Sequence, residues 1–429
     1  MRNSTNWNTG ESNKRNIKLV ETGGSVLRKF VKLIGFLVII LYGCALDPDK
    51  IEVENFESIV ELETVEKQEI KTDESELVKS QLVPMLEAID NNDEEGFLEF
   101  QNSANSLFYK EQKRWMEEAI FKKEQGYTFT VNIGEVNLMS SEKGDVELIV
   151  NMKYQDKETQ NKVIYSIVKL NNKWVIDDVP FKTISEGNIA VLYVSELEEE
   201  ALTVLREASD IVHLYNNEFG WTPKDMTIKL YDSREQISAT IPWTGSTGWN
   251  ETGESLKLMI EPSGPSTSLS TLTILAHELA HQMLSDFSND NASLYIQEGF
   301  ATLLQHVVEK DGEGKLLINL NNLPYREHKL LSNRDLVFYS IDELNKLDYT
   351  KTFEIYGLGF LLTDYLIKSH GFDKFMTMVK ELMNEPYIDS RVEHKLQITS
   401  ERTTRAIEKV YGSTDQVSDG YINYFTNKQ

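Results

Sequence analysis

The chain has 429 residues, 44 basic against 69 acidic, for a formal net charge of −25. That balance excludes a surface built for a phosphate backbone, which needs clustered Lys and Arg, so no nucleic-acid partner is expected. A single cysteine excludes an internal disulfide framework and any multi-cysteine zinc or iron–sulfur centre, while 40% hydrophobic residues suffice for a sizeable core and, at this length, for two domains.

In chain order, residues 33–46 (LIGFLVIILYGCAL) carry no charge and follow Arg28, Lys29 and Lys32. The run is short for a spanning helix, which needs about 20 apolar residues, but has the length of a signal-peptide core. It ends at Cys44, and an acidic segment follows at once. The arrangement resembles a bacterial lipoprotein signal, with Leu41-Tyr42-Gly43-Cys44 as the lipobox. That resemblance implies a signal region over 1–43, lipidation of Cys44, and an extracytoplasmic protein anchored to the cell membrane through that lipid. Tyr42 is bulkier than the small residues usual there. The polar stretch before Arg28 is long for a signal n-region, which places the expected translation start at Val26. Residues 44–80 are dominated by Glu, Asp and Lys without sustained periodicity and read as a disordered tether.

Residues 81–186 form the next unit. Leu82, Met85, Leu86 and Ile89 make a helical stripe, and 97–108 and 115–121 supply two more helical pieces. Strand alternation then takes over, with Tyr127, Phe129, Val131 and Ile133 on one face and Val146, Leu148, Val150 and Met152 repeating the pattern. Asn171-Asn172, between 163–170 and 174–176, reads as a tight hairpin turn, because asparagine tolerates positive φ. Helices followed by an antiparallel meander resemble the cone-shaped fold of ketosteroid isomerase and its non-catalytic relatives. No acid/base constellation accompanies the likeness, so a packing or binding module is expected.

Residues 187–429 have a third character, and the predicted fold class is α+β with a mostly helical C-terminal half. A long amphipathic helix (197–217) leads to a strand at 227–231, Asp232-Ser233 caps a short helix, and 256–260 reads as another strand. Helices are expected over 353–369, 374–383 and 402–411.

The chemistry lies in TLTILAHELAHQML, residues 271–284, where Leu272, Leu275, Ala276, Leu279 and Met283 fall at helical spacing. Within it, His277 and His281 stand four residues apart. They are separated by about 40° around the axis and about 6 Å along it, so both imidazoles project from one face. Two neutral imidazoles so placed suit Zn²⁺, and Glu278 is positioned to take a proton from a water on the metal. A composition-matched random chain shows this pattern roughly once in 80 sequences. A catalytic zinc takes three protein ligands and keeps one open position, so a third should follow. Sixteen residues separate His281 from Glu298, which sits in LYIQEGFATLLQ on the next amphipathic stretch (292–308). An antiparallel helix pair joined by a polar turn at 286–291 would swing Glu298 back toward the histidines.

HELAH followed by EGFA resembles the gluzincin metallopeptidases, specifically the peptidase-MA-like group related to the zinc aminopeptidases. The resemblance spans about 189–411. It implies one zinc per chain held by His277, His281 and Glu298, with Glu278 as general base and later proton donor, and a peptide or protein substrate. It further implies that Tyr356, in Tyr356-Gly357-Leu358-Gly359, stabilises the oxyanion, and that the strand 257–261 is the edge that pairs with substrate backbone. No Gly-Ala-Met-Glu-Asn-type motif is present, which leaves exo- or endopeptidase specificity open. Thr302 stands where thermolysin-like enzymes place an Asp four residues after the ligand Glu. The expectation is a lipid-anchored zinc metallopeptidase. The alternatives are a catalytically silent zinc-containing scaffold lipoprotein, or a binding lipoprotein acting through 81–186.

Overall fold

A computed structural model describes residues 18–19, 74–239, 248–260, 270–389 and 394–428. Cys44, the signal region apart from Lys18–Leu19, and most of the tether lie outside these residues. Among the described residues no helix is long and apolar enough to cross a membrane.

The architecture is α+β, as the sequence predicts. The first helix, α1, covers 74–90. Its opening turns absorb residues 74–80, expected in the tether, because Val78 continues the buried stripe of Leu82, Met85 and Ile89. Two more helices follow, α2 (Glu94–Leu98) and α3 (Ser106–Glu124), the latter capped by Asn105 accepting from the Phe108 amide. They pack on a four-stranded antiparallel meander of β1 (Thr128–Leu138), β2 (Lys143–Tyr154), β3 (Lys157–Leu170) and β4 (Lys173–Ile176). Phe129, Val131, Val146, Leu148 and Val150 are buried at period two, as predicted. Asn171 and Asn172 make the β3–β4 turn with φ of 51° and 64°.

A second, mixed sheet begins earlier than the 187 boundary expected from sequence. Strand β5 (Lys182–Glu186) pairs antiparallel with β6 (Ile189–Tyr193) and not with the meander. The two-residue strand Lys18–Leu19 lies on the outer side of β5. After helix α4 (Glu198–Phe219), strand β7 (Met226–Tyr231) runs parallel to β6, and the short helix α5 (Arg234–Ile237), capped by Ser233, follows. Two more strands, β8 (Gly248–Trp249) and β9 (Leu256–Met259), complete the sheet. Strand β9 is interior, parallel to β7 on one side and antiparallel to β8 on the other. The edge expected at 257–261 is therefore β8, because a strand two residues long closes over β9 at Lys257 and Leu258. Short length and scant patterning hide such a strand from sequence.

The remainder is helical apart from the small hairpin of β10 (Val308–Lys310) and β11 (Leu316–Ile318). The helices that frame the site are α6 (Thr271–Ser288) and α7 (Leu294–Val307) before that hairpin. After it come α8 (Leu323–Leu331), α9 (Ile341–Leu344), α10 (Thr352–His370), α11 (Phe372–Glu381), α12 (Lys395–Tyr411) and α13 (Thr414–Thr426).

Helices α7 and α10 cross at backbone contact. A Cβ on Gly299 would lie 2.2 Å from the Gly359 carbonyl oxygen, and one on Gly359 would lie 2.3 Å from the Tyr295 carbonyl oxygen. Gly359→Ala is accordingly expected to cost about 1–3 kcal/mol by overpacking. Gly357→Ala, two residues away, meets only the Leu330 side chain at 3.3 Å and recovers helix propensity of about 1 kcal/mol. Urea unfolding of both variants checks this; equal stability would show that the crossing has slack.

Candidate metal centre

Helix α6 starts at Ser270, whose hydroxyl accepts from the Thr273 amide, and ends at Asn289, in left-handed conformation with φ 51°. Its apolar face, Leu275, Ala276, Leu279, Ala280 and Met283, is fully buried. The Tyr215 hydroxyl from α4 donates to the Ala276 carbonyl at 2.8 Å, and Trp221 Nε1 donates to Asp286 at 2.7 Å. Those contacts fix the rotation of the helix, and with it the direction of His277 and His281.

The turn into α7 is held from the C-terminal helices. Asn291 donates to the carbonyls of Glu385 at 3.1 Å and Leu382 at 3.4 Å and accepts from Arg402, while the Ser293 amide donates to Thr403 at 2.8 Å. With α7 so returned, Glu298 faces the histidine pair. His277 Nε2 and His281 Nε2 are 3.1 Å apart, and each is 3.4 Å from Glu298 Oε2. The three ligand atoms form the His-His-Glu group that the sequence predicts.

The donor set fits a small divalent cation. A tetrahedral centre with arms of about 2.0–2.1 Å has edges of about 3.3–3.4 Å, close to the triangle observed. Glu298 Oε2 is buried without a hydrogen-bond partner, as is His277 Nδ1. Two imidazole nitrogens and a carboxylate with open lone pairs converging on one point are the chemistry of a zinc site. Burial opposes charge on His281, yet the neighbouring Glu298 carboxylate raises its pKa to about 9. Burial likewise opposes charge on Glu298, and the two imidazoles override it, holding the carboxyl well below its usual range.

Glu278 is buried beside this group. Desolvation pushes its pKa up, as does Glu298, against the opposing pull of His277 and His281. Its carboxylate abuts Gly248 of β8, where a Cβ would come within 2.5 Å of Oε1. Its main-chain carbonyl accepts from the Asn250 side chain at 3.0 Å. The Tyr356 ring lies parallel to that of His277, centroids 5.9 Å apart. Burial first and Glu298 second keep its hydroxyl protonated far above neutrality.

Two residues at the site escape the sequence. Tyr349, in a turn before α10, donates its hydroxyl to Glu298 Oε1 at 3.4 Å although the residue as a whole is exposed. Gln297 presents Oε1 to His281 Nδ1 at 3.4 Å and is itself linked to Ser285. This is the orienting contact that a metal-bound imidazole normally has on its far nitrogen. Thr302, at the position that drew attention in sequence, is buried, and its hydroxyl bonds to nothing among the described residues. Position within a helix does not reveal that the residue next to Glu298 reaches His281.

No family model and no curated protein matches the chain. Among solved structures, an NTF-2-like protein of unknown function from Shewanella oneidensis is similar at 16% identity over 23% of this chain and 94% of that one, with a TM-score of 0.20. An M1 zinc metallopeptidase from Deinococcus radiodurans is similar at 12% identity over 70% of this chain, with a TM-score of 0.36. A mutant of an M1 zinc metallopeptidase from the same organism, bound to a Tyr-Ser-Ala substrate, gives 13% identity over 68% of this chain and a TM-score of 0.34. The chain spans 61% of the length of these metallopeptidases. Likenesses this distant carry no argument about activity, which rests on the site itself.

Proposed function

We propose that this protein is a zinc-dependent peptidase, held at the outer face of the bacterial membrane by a lipid on Cys44. The observation that carries the activity is the near-tetrahedral triangle of His277, His281 and Glu298, with the desolvated carboxylate of Glu278 beside it on the same helix. Zinc, when bound there, supplies Lewis-acid polarisation of a carbonyl and acidifies a water.

The chain's own residues do the rest. Glu278, its pKa raised by burial, is the acceptor for the proton of the attacking water and the group that returns it to the leaving amine. Tyr356 remains a hydrogen-bond donor at any working pH and is the candidate partner for the developing oxyanion, a contact worth about 3 kcal/mol in comparable sites. Gln297 keeps the His281 ring turned so that Nε2 faces the metal position.

The first test is elemental analysis of the full chain beside His281→Ala and Glu298→Ala. One zinc per chain, lost in both variants, is expected; a well-folded wild type that takes up none after reconstitution would refute the proposal. A peptide-library digest with and without chelator then separates a peptidase from a silent zinc-bearing scaffold. For the anchor, metabolic labelling with palmitate should mark the wild type and not Cys44→Ser.

A further inference from the structure

We infer that α3 of the small module is a clamp that sets the position of the chain lying on Glu278, with Lys110, Gln112 and Arg114 as positioning residues for hydrolysis. The inference rests on the peptidase reading above and gives the module a catalytic purpose. The segment against Glu278 is β8 with Asn250, and α3 grips the described chain on both sides of it.

Upstream, the end of α5 is held through its carbonyls. Ala239 accepts from Gln112 Nε2 at 2.9 Å and from the Tyr165 hydroxyl at 3.3 Å, and Ser238 accepts from Trp115 Nε1 at 3.2 Å. Downstream, Lys110 Nζ donates to the Thr252 carbonyl at 2.7 Å. Arg114 pairs with Glu254, and its Nη2 lies 3.4 Å from Glu251. Glu111 accepts from the Ser255 amide at 3.1 Å. Lys110, Glu111 and Arg114 reach the downstream flank while Gln112 and Trp115 reach the upstream one, so a single helix holds both.

Between those flanks stand Gly248, where a Cβ would come within 2.5 Å of Glu278 Oε1, and Asn250, bonded to the Glu278 carbonyl. Only Glu251 separates Asn250 from Thr252, so a shift where Lys110 and Arg114 act reaches Glu278 through three residues of chain. The same contacts bear on the module as an independent ligand binder. Gln112, Trp115 and Tyr165 of the module donate to the carbonyls of Ser238 and Ala239.

The test uses the full chain with Lys110→Met, Arg114→Met and the double variant. Lys110 is only half-buried, and when Arg114 is replaced Glu254 keeps Lys257 at 3.0 Å and Glu251 keeps Lys395 at 3.7 Å, so the single variants retain a partner for each carboxylate. Three readings are taken: zinc content, amide hydrogen exchange, and kcat and KM on a cleaved peptide from the library digest. The expected result is unchanged zinc, exchange at least about tenfold faster across 248–255 but not across 271–288, and kcat lower by about tenfold with KM little changed. Arg114→Lys, which keeps the charge, should recover part of the kcat loss.

Faster exchange at 248–255 with wild-type kcat would overturn the positioning role. Exchange unchanged in the double variant would overturn the clamp, and loss of zinc in the single variants would show that the effect runs through collapse of the metal centre. A wild type that binds zinc yet cleaves no peptide refutes the peptidase reading and this catalytic purpose with it, while the exchange rates still decide whether the clamp exists.

Discussion

Glu278→Gln is expected to keep a full complement of zinc and lose peptide hydrolysis by about a hundred- to ten-thousandfold, the range for a positioned acid–base group. The substitution is nearly isosteric. The packing of the side chain against Gly248 is retained, and the Asn250 contact is to the Glu278 main-chain carbonyl, which the change does not touch. His277, His281 and Glu298 are likewise untouched. What disappears is the capacity to take up a proton, which a carboxamide lacks. The readouts are kcat on a peptide substrate and metal content on the same preparation. Retained hydrolysis would sink the assigned role of Glu278, and loss of zinc would show that the carboxylate supports the metal centre.

Glu111→Gln should be strongly destabilising. The side chains of Glu111, Lys229 and Lys257 are fully buried; Glu111 lies 2.6 Å from Lys229 and 3.3 Å from Lys257, and Lys229 also pairs with Asp178. Removing the shared carboxylate leaves two buried ammonium groups under-compensated, a cost of about 3–5 kcal/mol. Urea unfolding at pH 7 would measure it, and a loss below about 1 kcal/mol would mean that water relieves the site.

The pH dependence has a definite sign. Burial raises the Glu111 pKa, but Lys229 and Lys257 override it and hold it at about 2 against a usual 4.5. Its stabilisation is therefore complete above about 4.5 and lost as pH falls toward 2. Asp178 goes the other way, to about 6 from 3.8, chiefly by desolvation, with Lys229 already shared. The native state holds that proton more tightly than the unfolded chain, so stability declines as pH rises from about 4 to about 6. Asp178→Asn should remove that decline and flatten the profile between about pH 4 and 6, while the loss of a carboxylate beside buried Lys229 lowers stability as a whole. An unchanged slope would place the titration elsewhere.

Much of the site is legible in the sequence alone. His277, Glu278 and His281 sit within a 3.6-residue apolar period that fixes a helix, and helix geometry alone puts both imidazoles on one face. Glu298 followed because a catalytic metal needs a third ligand and the next amphipathic stretch offered one. The strand alternation of the meander and the Asn171-Asn172 turn were equally plain, since both are local in sequence. The expected helix 197–217 is observed as Glu198–Phe219, and 353–369 as Thr352–His370.

Other features waited for the tertiary structure. Lys229 and Lys257 lie on strands whose pattern gives no reason to bury a lysine; both are buried because Glu111, 118 residues before Lys229, arrives from the other sheet's helices. Strand β9 became interior only when β8 closed over it, and Tyr349 and Gln297 joined the site through the packing of α10 and α7. Periodicity records which face of an element is dry. It carries no information about which distant charge or backbone group will be pressed against that face, because the pairing is decided by how the elements pack and not by either element alone.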